Sequence, residues 1–246
     1  MIENAIRKYL KKNNFKEFNL KAVFFDMDGV LYDSMKHHSL AWTKAMLETG
    51  LPFTQYDAYL NEGRTGTATI NSVFVKLNGR EATEDEKKDI YTLKSKYFEE
   101  LGEPLPMDYA HDILKKLKEK RFRLMVVTGS AQPSLIENLT SHFPQIFTKD
   151  DIISAFDVEN GKPHPEPYLK ALERAGIHPW EAVVIENAPM GTLASSTAQI
   201  FTIGVNTGPL EPIILQENGA NVVLTGMKEL FEKWDEFNIE HKIVCT

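Results

Sequence analysis

The amino-acid sequence predicts an α/β fold: a doubly wound, parallel, Rossmann-like sheet with a small inserted α-helical cap domain. The apolar run Ala22–Phe25, near the N-terminus, is typical of a strand buried on both faces. From residue 106 onward similar runs alternate with amphipathic helical patterns, and repeated βα units predict parallel strands with right-handed crossovers. Between them, residues 35–105 carry helical patterns without a buried strand. We therefore expect a core of residues 1–34 and 106–246 and a cap of residues 35–105.

The ends of the chain and its composition limit the class of protein. Residues 1–19 show apolar side chains at helical spacing and predict an N-terminal helical extension docked on the core. Glu3 and Glu17 weaken the alternative of a basic membrane-surface helix, because they dilute its positive charge.

The 246 residues carry a net charge of −7, which argues against binding to nucleic acid or membrane surfaces. The single cysteine, Cys245, excludes an intramolecular disulfide. We expect a cytoplasmic monomer.

The helices and strands follow in order from these patterns. Ser34 is a candidate N-cap for the first cap helix, and Pro165 and Pro167 should delay the helix that follows Lys162. The predicted helices are Met35–Thr49, Thr67–Leu77, Glu84–Leu101, Tyr109–Lys120, Pro133–His142, Tyr168–Ala175, Thr192–Thr197 and Met227–Phe237. The predicted strands are Ala22–Phe25, Leu124–Val127, Ile152–Ile153, Ala182–Ile185, Ile200–Val205 and Asn221–Leu224.

Two carboxylates follow the first strand. Asp26 ends the apolar run, Asp28 comes two residues later, and Gly29 allows a sharp turn. Like charges this close need a cation or a shared proton to offset their repulsion. An acidic turn would explain a lone D-x-D, but the position directly against a buried strand favours a functional site.

Polar residues also follow the other core strands. Thr128, Gly129 and Ser130 precede a helix and suit an anion, although such residues more often only cap a helix. Lys162, held extended by Pro163, would by itself be read as a solvated lysine. Glu186 and Asn187 offer oxygen ligands for a metal. Because the carboxyl ends of parallel strands meet at one edge, these groups together predict phosphoryl transfer with a divalent cation.

At this point the chain resembles the haloacid dehalogenase-like (HAD) superfamily. The segments D-M-D-G-V-L-Y-D-S, V-V-T-G-S, G-K-P and V-V-I-E-N-A-P are similar to its four motifs in order, and the helical insertion is similar to the cap of the β-phosphoglucomutase-like subgroup. The resemblance implies that Asp26 is the nucleophile that forms an aspartyl phosphate and that Asp28 is the general acid and base.

The resemblance also implies the remaining roles. Thr128 and Gly129, with Ser130 beside them, would hold phosphate oxygens, and Lys162 would neutralise the charge shared by nucleophile and phosphate. Mg²⁺ would be bound by Asp26, the backbone carbonyl of Asp28 and Asn187, with Glu186 close by through water. His38 matches a cap histidine of β-phosphoglucomutases. The sequence favours neither of two positions for His38, one facing the substrate and one in the hydrophobic core.

Two departures from the subgroup bear on function. Many relatives have Glu-Asp where this chain has Glu186-Asn187, so we expect weaker metal binding. The mutases resemble one another in a cap loop K-G-x-x-R, whereas here Glu62 and Gly66 stand at the Lys and Arg positions, and Arg64 is the candidate substrate cation instead. We expect a Mg²⁺-dependent phosphatase of a small phosphorylated metabolite, with a hexose phosphomutase and an inactive phosphometabolite-binding protein as alternatives. A true haloacid dehalogenase is disfavoured, because cleaving a carbon–halogen bond requires neither Mg²⁺ nor an acid at position 28.

Overall fold

The structure is a computed structural model that describes residues 2–130, 133–237 and 242–244, and only the backbone of residues 133–136. Cys245 lies outside the described residues. The helices are α1 (Ile2–Asn13), α2 (Met35–Glu48), α3 (Gln55–Asn61), α4 (Gly66–Asn78), α5 (Glu84–Glu100), α6 (Ala110–Glu119), α7 (Pro133–His142), α8 (Glu166–Ala175), α9 (Pro189–Thr197), α10 (Pro212–Glu217) and α11 (Met227–Lys233). The strands are β1 (Glu17–Phe18), β2 (Ala22–Phe25), β3 (Arg123–Val127), β4 (Ile152–Ile153), β5 (Ala182–Glu186), β6 (Phe201–Val205), β7 (Val222–Leu224) and β8 (Ile243–Val244).

Six parallel strands form the central sheet in the order β4-β3-β2-β5-β6-β7. The central strand β2 pairs with β3 and β5 in a register that sets Phe25 beside Val126 and Ile185. All three strands therefore end at the same edge of the sheet. This architecture confirms the predicted α/β fold with a parallel, Rossmann-like core.

The sheet is buried on both faces, as the apolar strands predict. Val23 and Phe25 belong to the hydrophobic cluster on one face, and Ala22 and Phe24 to the cluster on the other. The first cluster includes four side chains of α1, namely Ile2, Ile6, Tyr9 and Leu10, so the predicted N-terminal helix packs on the core. No helix among the described residues is long and apolar enough to cross a membrane.

The helices α2 to α5 pack around a third hydrophobic cluster. It contains Trp42 and Met46 from α2, Ile70 and Phe74 from α4, and Ile90 from α5. A helical cap with its own small core is thus inserted between β2 and β3. The exact boundaries at residues 35 and 105 stay a prediction.

Several short elements differ from the expectations. α3 and α10 were not predicted, because six or seven residues are too few to show helical periodicity. β1 and β8 form an unpredicted antiparallel pair of two-residue strands. The prediction that prolines delay α8 was wrong: Pro165 is its N-cap and Pro167 lies in its first turn, where a missing N–H leaves no hydrogen bond unmade.

Candidate active site

Asp26 and Lys162 form a buried ion pair at the carboxyl edge of the sheet. The Lys162 Nζ donates to Asp26 Oδ1 at 2.6 Å, to Glu186 Oε1 at 2.7 Å and to the backbone oxygen of Val127 at 2.8 Å. The lysine side chain is completely buried. The structure therefore excludes the solvated lysine that the residue alone would have suggested.

The charges in this cluster do not cancel. Burial raises the pKa of Asp26 to about 8, Lys162 opposes the rise, and the nearby carboxylates of Glu186 and Asp28 add to it. Burial also acts against the charged ammonium, but Asp26 and Glu186 keep the pKa of Lys162 well above its ordinary value. One fixed cation thus faces several carboxylates, an arrangement that a second cation would stabilise.

Glu186 is held on both carboxylate oxygens. Besides Lys162, its Oε1 accepts from the Tyr168 hydroxyl at 3.0 Å, and its Oε2 accepts from the backbone N–H of Ala188 at 3.0 Å. Gly191 packs so closely that a Cβ there would stand 1.6 Å from Oε1. This packing fixes the carboxylate in place, and its predicted position near a metal stays a prediction.

Asp28 is oriented by two residues of the cap entrance. Its Oδ1 accepts from the Ser34 hydroxyl at 2.6 Å and lies 3.1 Å from Nε2 of His38. Burial alone would raise the pKa of Asp28, but His38 and the hydrogen bond from Ser34 hold it below its ordinary value. Burial, followed by repulsion from Lys94, lowers the pKa of His38, and the attraction of Asp28 opposes this shift. His38 therefore faces the site, with its ring 4.4 Å from that of Phe98.

The segment after β3 lies directly against the cap. The Thr128 hydroxyl accepts from the backbone N–H of Ser130 at 3.0 Å, which leaves the hydroxyl hydrogen available to an anion. A Cβ on Gly129 would stand 2.4 Å from the backbone oxygen of Gly63. Only glycine permits this close approach between core and cap.

The cap loop brings Glu62 and Arg64 to the core. Glu62 is 8% exposed and accepts from Asn187 Nδ2 at 3.0 Å through Oε1, whereas its Oε2 has no hydrogen-bond partner among the described residues. Burial, followed by repulsion from Asp26, raises the pKa of Glu62 well above its ordinary value. Arg64 is adjacent to Lys162 through a backbone bridge, and its Nε is buried without a partner.

Lys94 is a site residue that the sequence analysis did not find. It projects from α5, is only 3% exposed, and places Nζ 4.8 Å from the ring centroid of Phe98. Burial lowers its pKa to about 8, against the attraction of Asp28. The available signal was a lysine on the apolar side of α5, between Tyr91 and Phe98.

Cap and core enclose a cavity of about 60 Å³. Its lining joins Asp26 and Asp28 of the core to His38, Arg64 and Lys94 of the cap.

The oxygen atoms beside Asp26 fit a divalent cation. Among the described residues, no group of three or more His, Cys, Asp or Glu side chains could hold a metal. The predicted set differs from such a group because it contains an amide and a backbone carbonyl. Asn187 Oδ1, like Glu62 Oε2, is buried and lacks a hydrogen-bond partner within the part of the chain that the structure describes. Such oxygens are costly to bury alone and are suitable ligands for Mg²⁺.

A family model described as haloacid dehalogenase-like hydrolase matches residues 23–205. The chain belongs to this family. It is 27% identical over 239 residues to β-phosphoglucomutase of Bacillus subtilis, covering 91% of this chain and all of that protein. It is 30% identical over 184 residues to a phosphorylated carbohydrates phosphatase of Thermotoga maritima, covering 75% and 84% of the two chains.

A solved structure agrees with this HAD-like assignment over nearly the whole chain. A putative β-phosphoglucomutase from Bacteroides vulgatus superposes with a TM-score of 0.93 at 44% identity and 97% coverage of both chains. The predicted resemblance to HAD-like enzymes of the β-phosphoglucomutase type is thereby confirmed. The chain is a phosphoryl-transfer enzyme, because the relatives described above are named as a phosphomutase and a phosphatase.

Proposed function

We propose that this HAD-like enzyme is a Mg²⁺-dependent phosphatase of a small sugar phosphate, acting through an aspartyl phosphate on Asp26. One observation carries the proposal: Asp26 and Asp28 line one cavity while buried Lys162 holds Asp26 at 2.6 Å. The names of the relatives support a phosphorylated carbohydrate as the substrate class.

In the first half-reaction Asp26 attacks phosphorus, the bond from phosphorus to the leaving oxygen breaks, and Asp28, which must be in its protonated form when substrate is bound, gives that oxygen its proton. Lys162 stabilises the growing negative charge, and Thr128 with the Gly129–Ser130 segment binds the phosphate oxygens. In the second half-reaction Asp28 takes a proton from water, which attacks the acyl phosphate, and Asp26 is regenerated as inorganic phosphate leaves.

The metal site of this scheme uses groups already in place. Asp26, the backbone carbonyl of Asp28 and Asn187 would hold Mg²⁺ near Glu186, and the bound ion would offset the negative charge of carboxylates and phosphate. The unpaired Asn187 oxygen and the excess of buried carboxylates support this assignment.

The cap loop decides between water and sugar as acceptor. Glu62 and Gly66 replace the two cations of the mutase pattern, which favours hydrolysis. A phosphomutase is the second candidate, because Arg64 and Lys94 both line the cavity and offer cations to a second phosphate. In that case Arg64→Ala would abolish isomerisation and spare the hydrolysis of a small phosphate ester.

The deciding experiment incubates β-glucose 1-phosphate with enzyme, Mg²⁺ and a trace of the 1,6-bisphosphate, and measures glucose 6-phosphate and free phosphate together. Free phosphate, absent with Asp26→Asn, is the expected product. Glucose 6-phosphate would establish the mutase instead. If neither forms, the assay is extended to a panel of sugar phosphates; no release from any of them would contradict the phosphatase, and tight binding without turnover would indicate an inactive binding protein.

A further inference from the structure

We propose that Glu62 is a positioning residue for the metal: from the cap, it orients the Asn187 amide so that Oδ1 faces the cation. The inference rests on the proposed function, because it concerns the Mg²⁺ of that site.

The orientation follows from hydrogen-bond chemistry. Nδ2 of Asn187 donates to Glu62 Oε1 at 3.0 Å, so the NH₂ end of the amide faces the cap. The oxygen end of the same amide then points elsewhere, and it is the end that is buried without a partner. With both residues less than a tenth exposed, solvent does not replace this contact.

The Asn187 side chain is confined between core and cap. A Cβ on Gly29 would stand 2.0 Å from Nδ2, so the backbone after Asp28 packs against the amide on its core side. Glu62 meets the same nitrogen from the cap side. The carboxylate is therefore the group that distinguishes one amide orientation from the other.

The contact with Glu62 also changes the ligand. An amide oxygen binds Mg²⁺ more weakly than a carboxylate does. An acceptor on the amide nitrogen polarises the amide toward Oδ1, as outer partners of metal ligands commonly do. A lysine at position 62 would only donate and could not make this contact. The residues at positions 62 and 187 thus form a matched pair.

This pairing links the metal to the position of the cap. Glu62 belongs to the cap and Asn187 to the core, and Gly63 contacts Gly129 beside them. Because coupling is reciprocal, metal binding favours the cap position described above, and that position favours metal binding.

Titration calorimetry of the full chain with MgCl₂, without substrate, tests the proposal. We expect Glu62→Ala to weaken Mg²⁺ binding by about tenfold or more, and Glu62→Gln, which retains an acceptor oxygen for the Asn187 amide, to weaken it less. In the Asn187→Asp background the new carboxylate at position 187 binds the ion directly and has no amide to orient. Adding Glu62→Ala should therefore leave the Mg²⁺ affinity unchanged or increase it. The exposed cap variant Glu81→Ala serves as the matched control and should bind as the unchanged chain does.

Equal affinity of Glu62→Ala and the unchanged chain would overturn the inference, as would an equal loss in the Asn187→Asp background. If Glu62→Ala does not fold by circular dichroism, the same comparison is made with Glu62→Gln. Failure of the unchanged chain to bind Mg²⁺ would overturn the proposed function, and with it this inference.

Discussion

Lys162 donates to Asp26 at 2.6 Å and shows no exposed surface. The same ammonium reaches Glu186 at 2.7 Å, so one cation stands between the carboxylates that end β2 and β5. Removing it leaves two buried carboxylates without their cation, which affects stability as well as catalysis.

We expect Lys162→Ala to lower the free energy of unfolding by about 3–5 kcal/mol, the usual cost of breaking a buried ion pair. Inorganic phosphate should also inhibit the variant more weakly. Urea denaturation followed by circular dichroism measures the first effect. Lys228→Ala is the control: its ion pair with Glu232 is exposed at 3.7 Å and should contribute only about 0–1 kcal/mol. Similar losses in both variants would contradict the assignment.

Gly29→Ala should reduce Mg²⁺ affinity, because the new methyl group would meet the Asn187 amide at 2.0 Å. Gly50→Ala is a close control: φ is +78° at Gly50 and +80° at Gly29, but nothing lies within 4 Å of a Cβ at Gly50. Both variants should lose about 1–2 kcal/mol of stability from the left-handed backbone. Calorimetric titration with Mg²⁺ should separate them, and equal metal affinities would count against Asn187 as a ligand.

Ser34→Ala should move the acidic limb of the kcat–pH profile to higher pH. The Ser34 hydroxyl donates to Asp28 and helps to lower its pKa, so its loss raises the pKa of the group that must be deprotonated to accept a proton from water. Ser39→Ala, on the same helix, removes a hydroxyl that donates to the backbone oxygen of Lys36 and should leave the limb in place. An unmoved limb in Ser34→Ala would show that Asp28 does not set it.

Lys94→Met should stabilise the fold at pH 7 and weaken substrate binding. Burial lowers the pKa of Lys94 to about 8, below its value in the unfolded chain, so folding is opposed while the side chain is charged. The cost is fully present below pH 8 and disappears as the pH rises toward the unfolded pKa; it amounts to about 3 kcal/mol at most. Urea denaturation should show a stability gain at pH 7 that shrinks by pH 10. Lys96→Met, with an exposed lysine, should show no such gain, and a constant difference at both pH values would refute this account.

The long elements and the site edge were predictable from the sequence for clear reasons. The run Ala22–Phe25 could be recognised as a buried strand because all four residues are apolar, and the structure buries all four. Parallel pairing then places Asp26, Thr128 and Glu186 at one edge, since chain order alone implies it. The similarity to four motifs in order added the roles of these residues.

The cap side of the site could not be predicted in the same way. Lys94 and Glu62 reach the cavity only because α5 and the cap loop fold over the core, a contact between segments far apart in sequence. No local pattern reports such a contact. Ser34 was expected to cap α2, yet its hydroxyl makes no cap hydrogen bond and turns to Asp28 instead. The short hydrogen bond that the hydroxyl donates to a carboxylate orients it toward Asp28 and away from the backbone N–H groups of the first helical turn.

The most direct test of the account is to look for phosphate on Asp26. The enzyme is mixed with Mg²⁺ and the sugar phosphate that turns over fastest, quenched in acid within the first turnover, and digested for peptide mass spectrometry. The account predicts a phosphorylated peptide that maps to Asp26 and that is absent in Asp26→Asn. In Asp28→Asn, which lacks both the acid of the first half-reaction and the base of the second, formation and loss of this peptide should each slow by about a hundredfold. Steady phosphate release without modification of Asp26, or with Asp26→Asn retaining most of the activity, would contradict the covalent mechanism.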